Sequence, residues 1–271
     1  MDLTSTSFEK PEVAGAQTLR RGLSVLRLLT RVGPGGLPMG EIGRRLELNK
    51  ATAVRLTRTL VDEGFVVHDR PSRRYRLGPE AFAVGLAAEP SFELQRLAVP
   101  TLRALAAESG DTVFFTVLHG YESICLSRDE GDFPIRNQLI KPGDRWPLGV
   151  GAGSLAILAA LSNDEIDNVL TLNAAARAER FPRCTDTAIR RLIRETRELG
   201  YCVQPGMIIE DSWAVGVVVR NAARSPVASI SIAAIRSRLG PVRSTTLGNR
   251  LIRASEELTA MQTEAATQAG S

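Results

Sequence analysis

The chain has 271 residues, enough for two ordinary domains, and 44% of them are apolar. No window approaches the roughly 18 uninterrupted apolar residues of a membrane span, and residues 1–10 lack the layout of a signal peptide. The cysteines Cys125, Cys184 and Cys202 are odd in number and show no paired metal spacing. We therefore expect a cytoplasmic protein that contacts no membrane and needs neither a metal nor a cofactor.

The positive charge is concentrated in the first third of the sequence. Residues 1–90 contain 14 Lys+Arg against 10 Asp+Glu, a net of +4, whereas residues 91–271 contain 20 of each, a net of zero. Residues 44–76 alone carry 9 basic and 4 acidic side chains. A basic segment attached to a neutral body favours a polyanion-binding module carried by another domain, although a solvated basic face is the common alternative.

Residues 1–16 show no periodicity, which predicts a mobile tail. A first helix is predicted over residues 17–30, with an inward stripe of Leu19, Leu23, Leu26 and Leu29. After a glycine-rich break, a short second helix is predicted over residues 39–46. Asn49 is a good N-cap for a third helix over residues 50–63.

The third predicted helix carries small and basic side chains on one face. Its inward stripe consists of Ala53, Leu56 and Leu60. Its outward face carries Ala51, Thr52, Arg55 and Arg58. Strands over residues 65–68 and 75–77 follow, joined by an arginine-rich loop. Three helices and a hairpin predict a winged helix-turn-helix over residues 17–78.

This arrangement predicts specific contacts with double-stranded operator DNA. Lys50 and Arg58 are expected to pair with phosphates, while Thr52 and Arg55 lie nearest the base edges of the major groove. The wing arginines are expected to straddle the backbone or enter the minor groove: Arg70, Arg73 and Arg74. A protein-docking module with a solvated basic face is the alternative that these residues leave open.

A linker helix is predicted over residues 79–90, and residues 91–265 predict an α+β domain. Its predicted helices begin near Leu94 and at residues 154, 164, 186 and 242. Its predicted strands, mostly antiparallel, cover residues 112–118, 123–127, 133–139, 213–220 and 227–233. Helices and antiparallel strands in this order indicate a central sheet with helices packed against it.

The glycine-rich segment over residues 149–154 does not follow the G-x-G-x-x-G pattern, because residue 154 is Ser. Glycines ahead of a helix still expose backbone N–H groups that favour an anion such as a ligand carboxylate; a tight entry into a packed helix is the alternative. The histidines, His68 and His119, lie on the wing and in a hairpin turn, and no catalytic constellation can be assembled from the motif spacing. We therefore expect no enzyme activity.

Five collinear segments resemble those of the IclR family of bacterial transcription regulators. They are LELNKATAVRLTRTLVDEGF (46–65), DRPSRRYRLGPEAFAVG (69–85), WPLGVGAG (146–153), RELGYCV (197–203) and PVASISIAAIRSRL (226–239). The resemblance covers residues 17–262. It implies a C-terminal GAF-like domain that binds and responds to a small-molecule effector, commonly one bearing a carboxylate. It also implies a homodimer or homotetramer.

The resemblance further implies an effector pocket with backbone amides at Gly151 and Ala152, near Trp146 and Leu148. Other pocket positions are occupied here by Gln204, Ala214, Ser231 and Ala233. Many members that bind small acids have Asp, Cys and Ser in place of Gln204, Ala214 and Ala233. Fewer polar anchors and more space lead us to expect a larger or more apolar ligand, such as an aromatic or branched acid.

Two alternatives to a ligand-responsive regulator remain at this stage. One is a metabolic enzyme or ligand-binding protein that uses the N-terminal helices only for assembly. The other is a docking module that never touches DNA. A steep fall of binding with salt would favour DNA, because displaced counterions set that slope.

Overall fold

The computed structural model describes residues 16–88, 93–136 and 139–269. Residues 1–15 of the tail predicted over residues 1–16 lie outside these ranges, as do residues 89 and 90 of the predicted linker helix. The chain divides into two compact units, Met1–Phe92 and Glu93–Ser271, here called the N-terminal and C-terminal units. In the described ranges, no helix has the length and apolarity needed to cross a membrane.

The described part of the N-terminal unit contains four α-helices and a small antiparallel sheet. The helices are α1 (Gln17–Thr30), α2 (Met39–Arg45), α3 (Lys50–Asp62) and α4 (Pro79–Ala88), and the strands are β1 (Leu37–Pro38), β2 (Val66–Asp69) and β3 (Arg74–Leu77). β3 lies between β1 and β2 in the sheet. The predicted winged helix-turn-helix is therefore present, and β1 is a third strand that the sequence analysis did not predict.

The inward face of α1 differs from the predicted leucine stripe. Val25, Leu28 and Leu29 are buried, whereas Leu19 and Leu23 are 66% and 41% exposed. The core of this unit, which also contains Ile42 and Val66, contacts only the second half of α1. The prediction failed because the apolar residues of α1 occupy more than one face, so periodicity alone did not select the buried one.

In the described residues, the C-terminal unit contains six α-helices and one sheet. The helices are α5 (Glu93–Ser109), α6 (Ala152–Ala159), α7 (Asn163–Leu172), α8 (Ala174–Arg180), α9 (Asp186–Leu199) and α10 (Pro241–Ala269). The strands are β4 (Thr112–His119), β5 (Glu122–Asp129), β6 (Arg145–Pro147), β7 (Cys202–Gln204), β8 (Ser212–Arg220) and β9 (Pro226–Ile235). The predicted α+β class is confirmed.

The sheet has the order β6-β5-β4-β9-β8-β7, and all of its neighbouring strands are antiparallel. Alternate residues point to opposite faces. Val113 and Phe115 of β4 join Ile230 and Ile232 of β9 in a core against α5 and α10. On the opposite face, α6 packs across β8 and β9. The residues on that second face form the site described below.

The strand predicted over residues 133–139 is wrong for the part of it that the structure describes, since residues 133–136 and 139 form no strand. Pro134 has no N–H for a strand ladder. Phe133 is held locally, because its N–H donates to the Gly110 carbonyl at 2.9 Å and Arg238 lies 3.8 Å over its ring. The sequence analysis also missed the short elements β6, β7 and α8.

A buried ion cluster fixes the start of β4. Asp111, whose side chain is 1% exposed, accepts hydrogen bonds from Arg238 Nε at 2.9 Å and from Arg243 Nη2 at 2.7 Å. Both guanidiniums also donate to the Ser109 carbonyl, at 3.1 and 2.6 Å. These bonds tie the β9–α10 connection to the end of α5.

Candidate functional sites

The start of α3 is fixed by its cap. The Asn49 side chain accepts a hydrogen bond from the Thr52 N–H at 2.9 Å, as predicted, and Ala53 and Leu56 are buried against the rest of the unit. The opposite face lines one shallow surface groove: Lys50, Ala51, Val54, Arg55 and Arg58. Thr52 lies at the edge of this face and is half-buried. The structure thus brings the predicted base-edge and phosphate residues of α3 together on one surface.

The wing arginines differ in their surroundings. Arg70 and Arg73 are exposed on the loop between β2 and β3, where Arg73 adopts a left-handed backbone with a φ of 55°. Arg74 is also exposed, and its Nη1 donates to the Gly36 carbonyl at 2.9 Å. Arg74 therefore holds the wing to the segment before β1, a role that its sequence position did not reveal.

A cleft lies on the α6 face of the C-terminal sheet. The side chains and backbone that line it enclose about 580 Å³ of space not occupied by protein atoms, including the open mouth. Strand residues form its floor, and the start of α6 forms one wall. Leu139 and Ile140, from the segment between β5 and β6, form part of its rim.

Seven of the eight predicted effector residues line this cleft: Trp146, Gly151, Ala152, Gln204, Ala214, Ser231 and Ala233. Leu148 does not line it. That side chain is fully buried, and the Leu148 N–H donates to the Tyr121 carbonyl at 3.0 Å, so this position supports the wall from behind. The sequence analysis missed Phe114, Thr116, Ser123 and Cys125, which also line the cleft. Their alternation along β4 and β5 was a signal, but nothing in it distinguished the cleft face from the core face.

The start of α6 approaches the floor of the cleft closely. Gly151 has a φ of 87°, a left-handed conformation that glycine adopts without strain. A Cβ on Gly216 of β8 would lie 2.7 to 2.8 Å from backbone atoms of Ala152 and Gly153. The first N–H groups of a helix have no partner within it. Gly151, Ala152 and Gly153, at this start of α6, line the cleft.

The cleft lining is almost free of charge. Among its described lining residues there is no Lys, Arg or His, and the one carboxylate, Asp144, accepts a hydrogen bond from the Lys141 N–H at 2.9 Å. Burial raises the pKa of the Cys125 thiol to about 12, so the thiol is neutral. Gln204 is 4% exposed, and its side chain makes no hydrogen bond to any other described residue. The start of α6 is therefore the part of the described lining that favours an anion.

The two histidines lie apart from this cleft. His68 stacks on Tyr75 of the wing with 4.3 Å between ring centroids, and His119 is exposed at the end of β4. Neither is placed to act on a molecule bound in the cleft.

A winged helix-turn-helix joined to an α+β unit with such a cleft defines a ligand-responsive transcription regulator. Residues 18–70 match the IclR helix-turn-helix domain, and residues 87–260 match the family described as bacterial transcriptional regulator IclR C-terminal. The chain therefore belongs to the IclR family of bacterial transcription regulators, as its motifs indicated.

Individual proteins agree with this assignment. The chain is 28% identical to the HTH-type transcriptional repressor AllR of Klebsiella pneumoniae over 235 residues, which cover 86% of this chain and 85% of AllR. The crystal structure of an IclR transcriptional regulator from Alicyclobacillus acidocaldarius matches this chain with a TM-score of 0.72 and 26% sequence identity. The match covers 90% of this chain and 97% of the Alicyclobacillus chain.

The same fold is found in an IclR homologue from Microbacterium hydrocarbonoxydans that was crystallised with 4-hydroxybenzoate. Its TM-score is 0.72 at 22% identity, and the match covers 90% of this chain and 98% of the homologue. Membership of a family of transcription regulators does not favour the alternative of a metabolic enzyme.

Proposed function

We propose that this chain is a one-component regulator that acts in the cytoplasm. Residues 17–78 bind operator DNA, residues 79–90 link the units, and residues 91–265 bind the effector and assemble the oligomer. In the DNA-binding part, Lys50 and Arg58 pair with phosphates, and Thr52 and Arg55 contact base edges. Arg70 and Arg73 contact the backbone beside the wing, whereas Arg74 positions the wing. The shared groove on α3, with three exposed cations, carries this assignment.

Sequencing of genomic fragments retained by the full-length protein tests the DNA-binding function. We expect retained fragments to share one motif, and binding to weaken steeply with salt, since each neutralised phosphate releases counterions. Retention of all fragments alike, or binding that salt leaves unchanged, would contradict sequence-specific recognition of DNA.

The effector that best fits the cleft is a monocarboxylate with an apolar or aromatic body. Its carboxylate would lie at the α6 amides of Gly151 and Ala152, where the helix dipole favours an anion. With no cation in the lining, a second buried charge would have no partner and would cost several kcal/mol. The homologue crystallised with 4-hydroxybenzoate binds a ligand of this class.

Gln204 is the observation that carries the effector proposal. Its side-chain amide has no hydrogen-bond partner among the described residues, and it lines the same cleft as the α6 amides. A ligand with a hydroxyl or carbonyl group opposite its carboxylate would pair with the Gln204 amide at one end and with the α6 amides at the other. Its body would pack on Phe114 and Trp146.

Thermal unfolding with a panel of acids tests this proposal. At a hundredfold excess over Kd, a ligand adds about 2.7 kcal/mol, which corresponds to a Tm increase of about 5 to 10 °C. We expect 4-hydroxybenzoate and 3-methylbutanoate to raise Tm, and glyoxylate and succinate to leave it almost unchanged. Strong stabilisation by glyoxylate without stabilisation by the bulkier acids would overturn the assignment.

A matched pair of variants tests Gln204 directly. Gln204→Leu should weaken the binding of 4-hydroxybenzoate about tenfold, because the amide partner is lost. Gln262→Leu is the control: this residue of α10 has a buried amide oxygen without a partner among the described residues, and it lies outside the cleft. Equal effects of the two variants on the ligand Kd would exclude a contact with Gln204.

The regulator is proposed to be a homodimer, with a homotetramer as a further state. In the N-terminal unit, Leu19 and Leu23 on α1 and Phe82, Val84 and Leu86 on α4 are between 41% and 69% exposed. No described residue of α4 is buried. Apolar residues of this kind on two helices favour a second copy as the partner.

Light scattering at increasing protein concentration tests the oligomeric state. We expect a dimer that binds a palindrome with half-sites about 34 Å apart or a multiple of this. Phe82→Ser should shift the equilibrium towards monomer. A monomer at all concentrations, with a footprint of one half-site, would contradict the proposal.

A further inference from the structure

The outward face of α3 carries two exposed apolar side chains among its cations. Val54 is 41% exposed, and Ala51, one turn earlier, is also exposed. Both line the groove formed with Lys50, Arg55 and Arg58. We define Ala51 and Val54 as the apolar patch of α3.

The fold of the N-terminal unit does not account for this patch. The core contacts of α3 come from the opposite face, where Ala53 and Leu56 are buried. An exposed valine also lowers helix propensity relative to alanine. The patch therefore contributes little to the stability of the unit that presents it.

The positive charges around this patch favour duplex DNA as the molecule that contacts it. Lys50, Arg55 and Arg58 are attracted to the phosphates and guanine edges of duplex DNA, and they border the patch on both sides. When they engage the major groove, Val54 and Ala51 face base edges. The apolar group displayed there is the C5 methyl of thymine.

We propose that Val54, with Ala51 beside it, reads thymine in the operator by contact with the C5 methyl group. This inference rests on the proposed DNA-binding function and adds Val54 as a specificity-determining residue. The contact withdraws about one methyl group from water, and its loss weakens binding about fourfold.

The test begins with duplexes selected from a random-sequence library by the full-length protein. Each thymine is then replaced in turn by deoxyuridine, which removes only the methyl group. Replacement at one or two positions should raise Kd about fourfold for the unaltered protein. For Val54→Ala, which keeps a good helix former in α3, the same replacements should carry a smaller penalty, because only the methyl groups of alanine remain near the base.

Val242→Ala is the matched control, because Val242 is 84% exposed at the start of α10 in the C-terminal unit. It should retain the full penalty of methyl removal. The inference is overturned if no thymine is sensitive to deoxyuridine, or if Val54→Ala shows the same penalty as the unaltered protein. Salt-sensitive, sequence-specific binding would then still support DNA recognition, whereas failure to select any duplex would overturn both.

Discussion

The two units prepare their binding surfaces in opposite ways. The N-terminal unit presents exposed cationic side chains, Lys50, Arg55 and Arg58, on a helix. The C-terminal unit presents a mostly buried cleft whose described lining has no cationic side chain and includes the start of α6. A polyanion supplies many phosphates to exposed charges, while a small acid gains affinity only when it is withdrawn from water. The chemistry of the partner thus decides whether side chains or backbone provide the anchor.

The largest expected effect concerns the stability that the buried ion cluster around Asp111 gives to the C-terminal unit. Asp111→Ala should destabilise that unit by about 3 kcal/mol, the lower end for a broken buried pair, because Arg238 and Arg243 remain partly exposed. Tryptophan fluorescence during urea unfolding measures this unit alone, since both tryptophans, Trp146 and Trp213, lie in it.

Asp167→Ala is the control for that experiment. Asp167 pairs with Arg190 at 2.7 Å on the surface and is 59% exposed. Its removal should change stability by less than about 0.5 kcal/mol. Similar losses of unfolding free energy for both variants would show that burial does not increase the contribution of Asp111 to stability.

The cleft is also expected to suppress thiol chemistry. Cys125 has its pKa raised by burial from 9.0 to about 12, so its alkylation at pH 8 should be about a thousandfold slower than in the unfolded chain. Because the raised pKa lies above the usual range, the rate should keep rising tenfold per pH unit beyond pH 9. Peptide mass spectrometry after iodoacetamide treatment measures the alkylation rate of Cys125. A rate that stops rising near pH 9 would contradict a pKa raised by burial.

In the N-terminal unit, loss of a base contact and loss of a phosphate contact should change DNA binding in different ways. Arg55→Ala should lower affinity for the selected operator by about 1 to 3 kcal/mol while changing binding to random DNA little. Lys50→Ala should weaken binding to both and reduce the salt slope by about one. Anisotropy titrations with the two duplexes distinguish the variants, and equal losses on both duplexes for Arg55→Ala would remove its base-reading role.

The smallest expected effect concerns the Asn49 cap at the start of α3, the helix that carries the proposed DNA-contacting residues. Asn49→Ala removes the acceptor for the Thr52 N–H and should destabilise the N-terminal unit by about 1 kcal/mol. Hydrogen exchange of the α3 amides measures the change. Thr59→Ala, an exposed substitution in the same helix, should stay within about 0.5 kcal/mol, and an equal effect of the two would exclude capping as the cause.

Much of the N-terminal unit was predictable because local signals specify it. The Asn49 cap, the stripe of α3 and the arginine-rich wing all follow from neighbours in sequence. The surroundings of Arg74 were not predictable, because its partner, the Gly36 carbonyl, lies 38 residues away. The exposure of Leu19 and Leu23 likewise depends on which face the core covers.

The C-terminal unit was predicted well only where its elements are long. Strand alternation located β4, β8 and β9, whereas the three-residue strands β6 and β7 are too short for periodicity. The predicted cleft positions came from family motifs, and seven of the eight do line the cleft. Cys125 and Phe114 were missed, since their place in the cleft depends on strand register across the sheet.

The close approach of α6 to Gly216 has a consequence for sensor engineering. Under the proposed function, the α6 amides hold the acid group of the effector, so this anchor does not depend on any side chain that defines the shape of the ligand. Ala214 and Ala233, paired across β8 and β9, set that shape from positions where side chains can be exchanged with little change to the sheet. A library at these two alanines should therefore retune a biosensor to new acids without rebuilding its output domain.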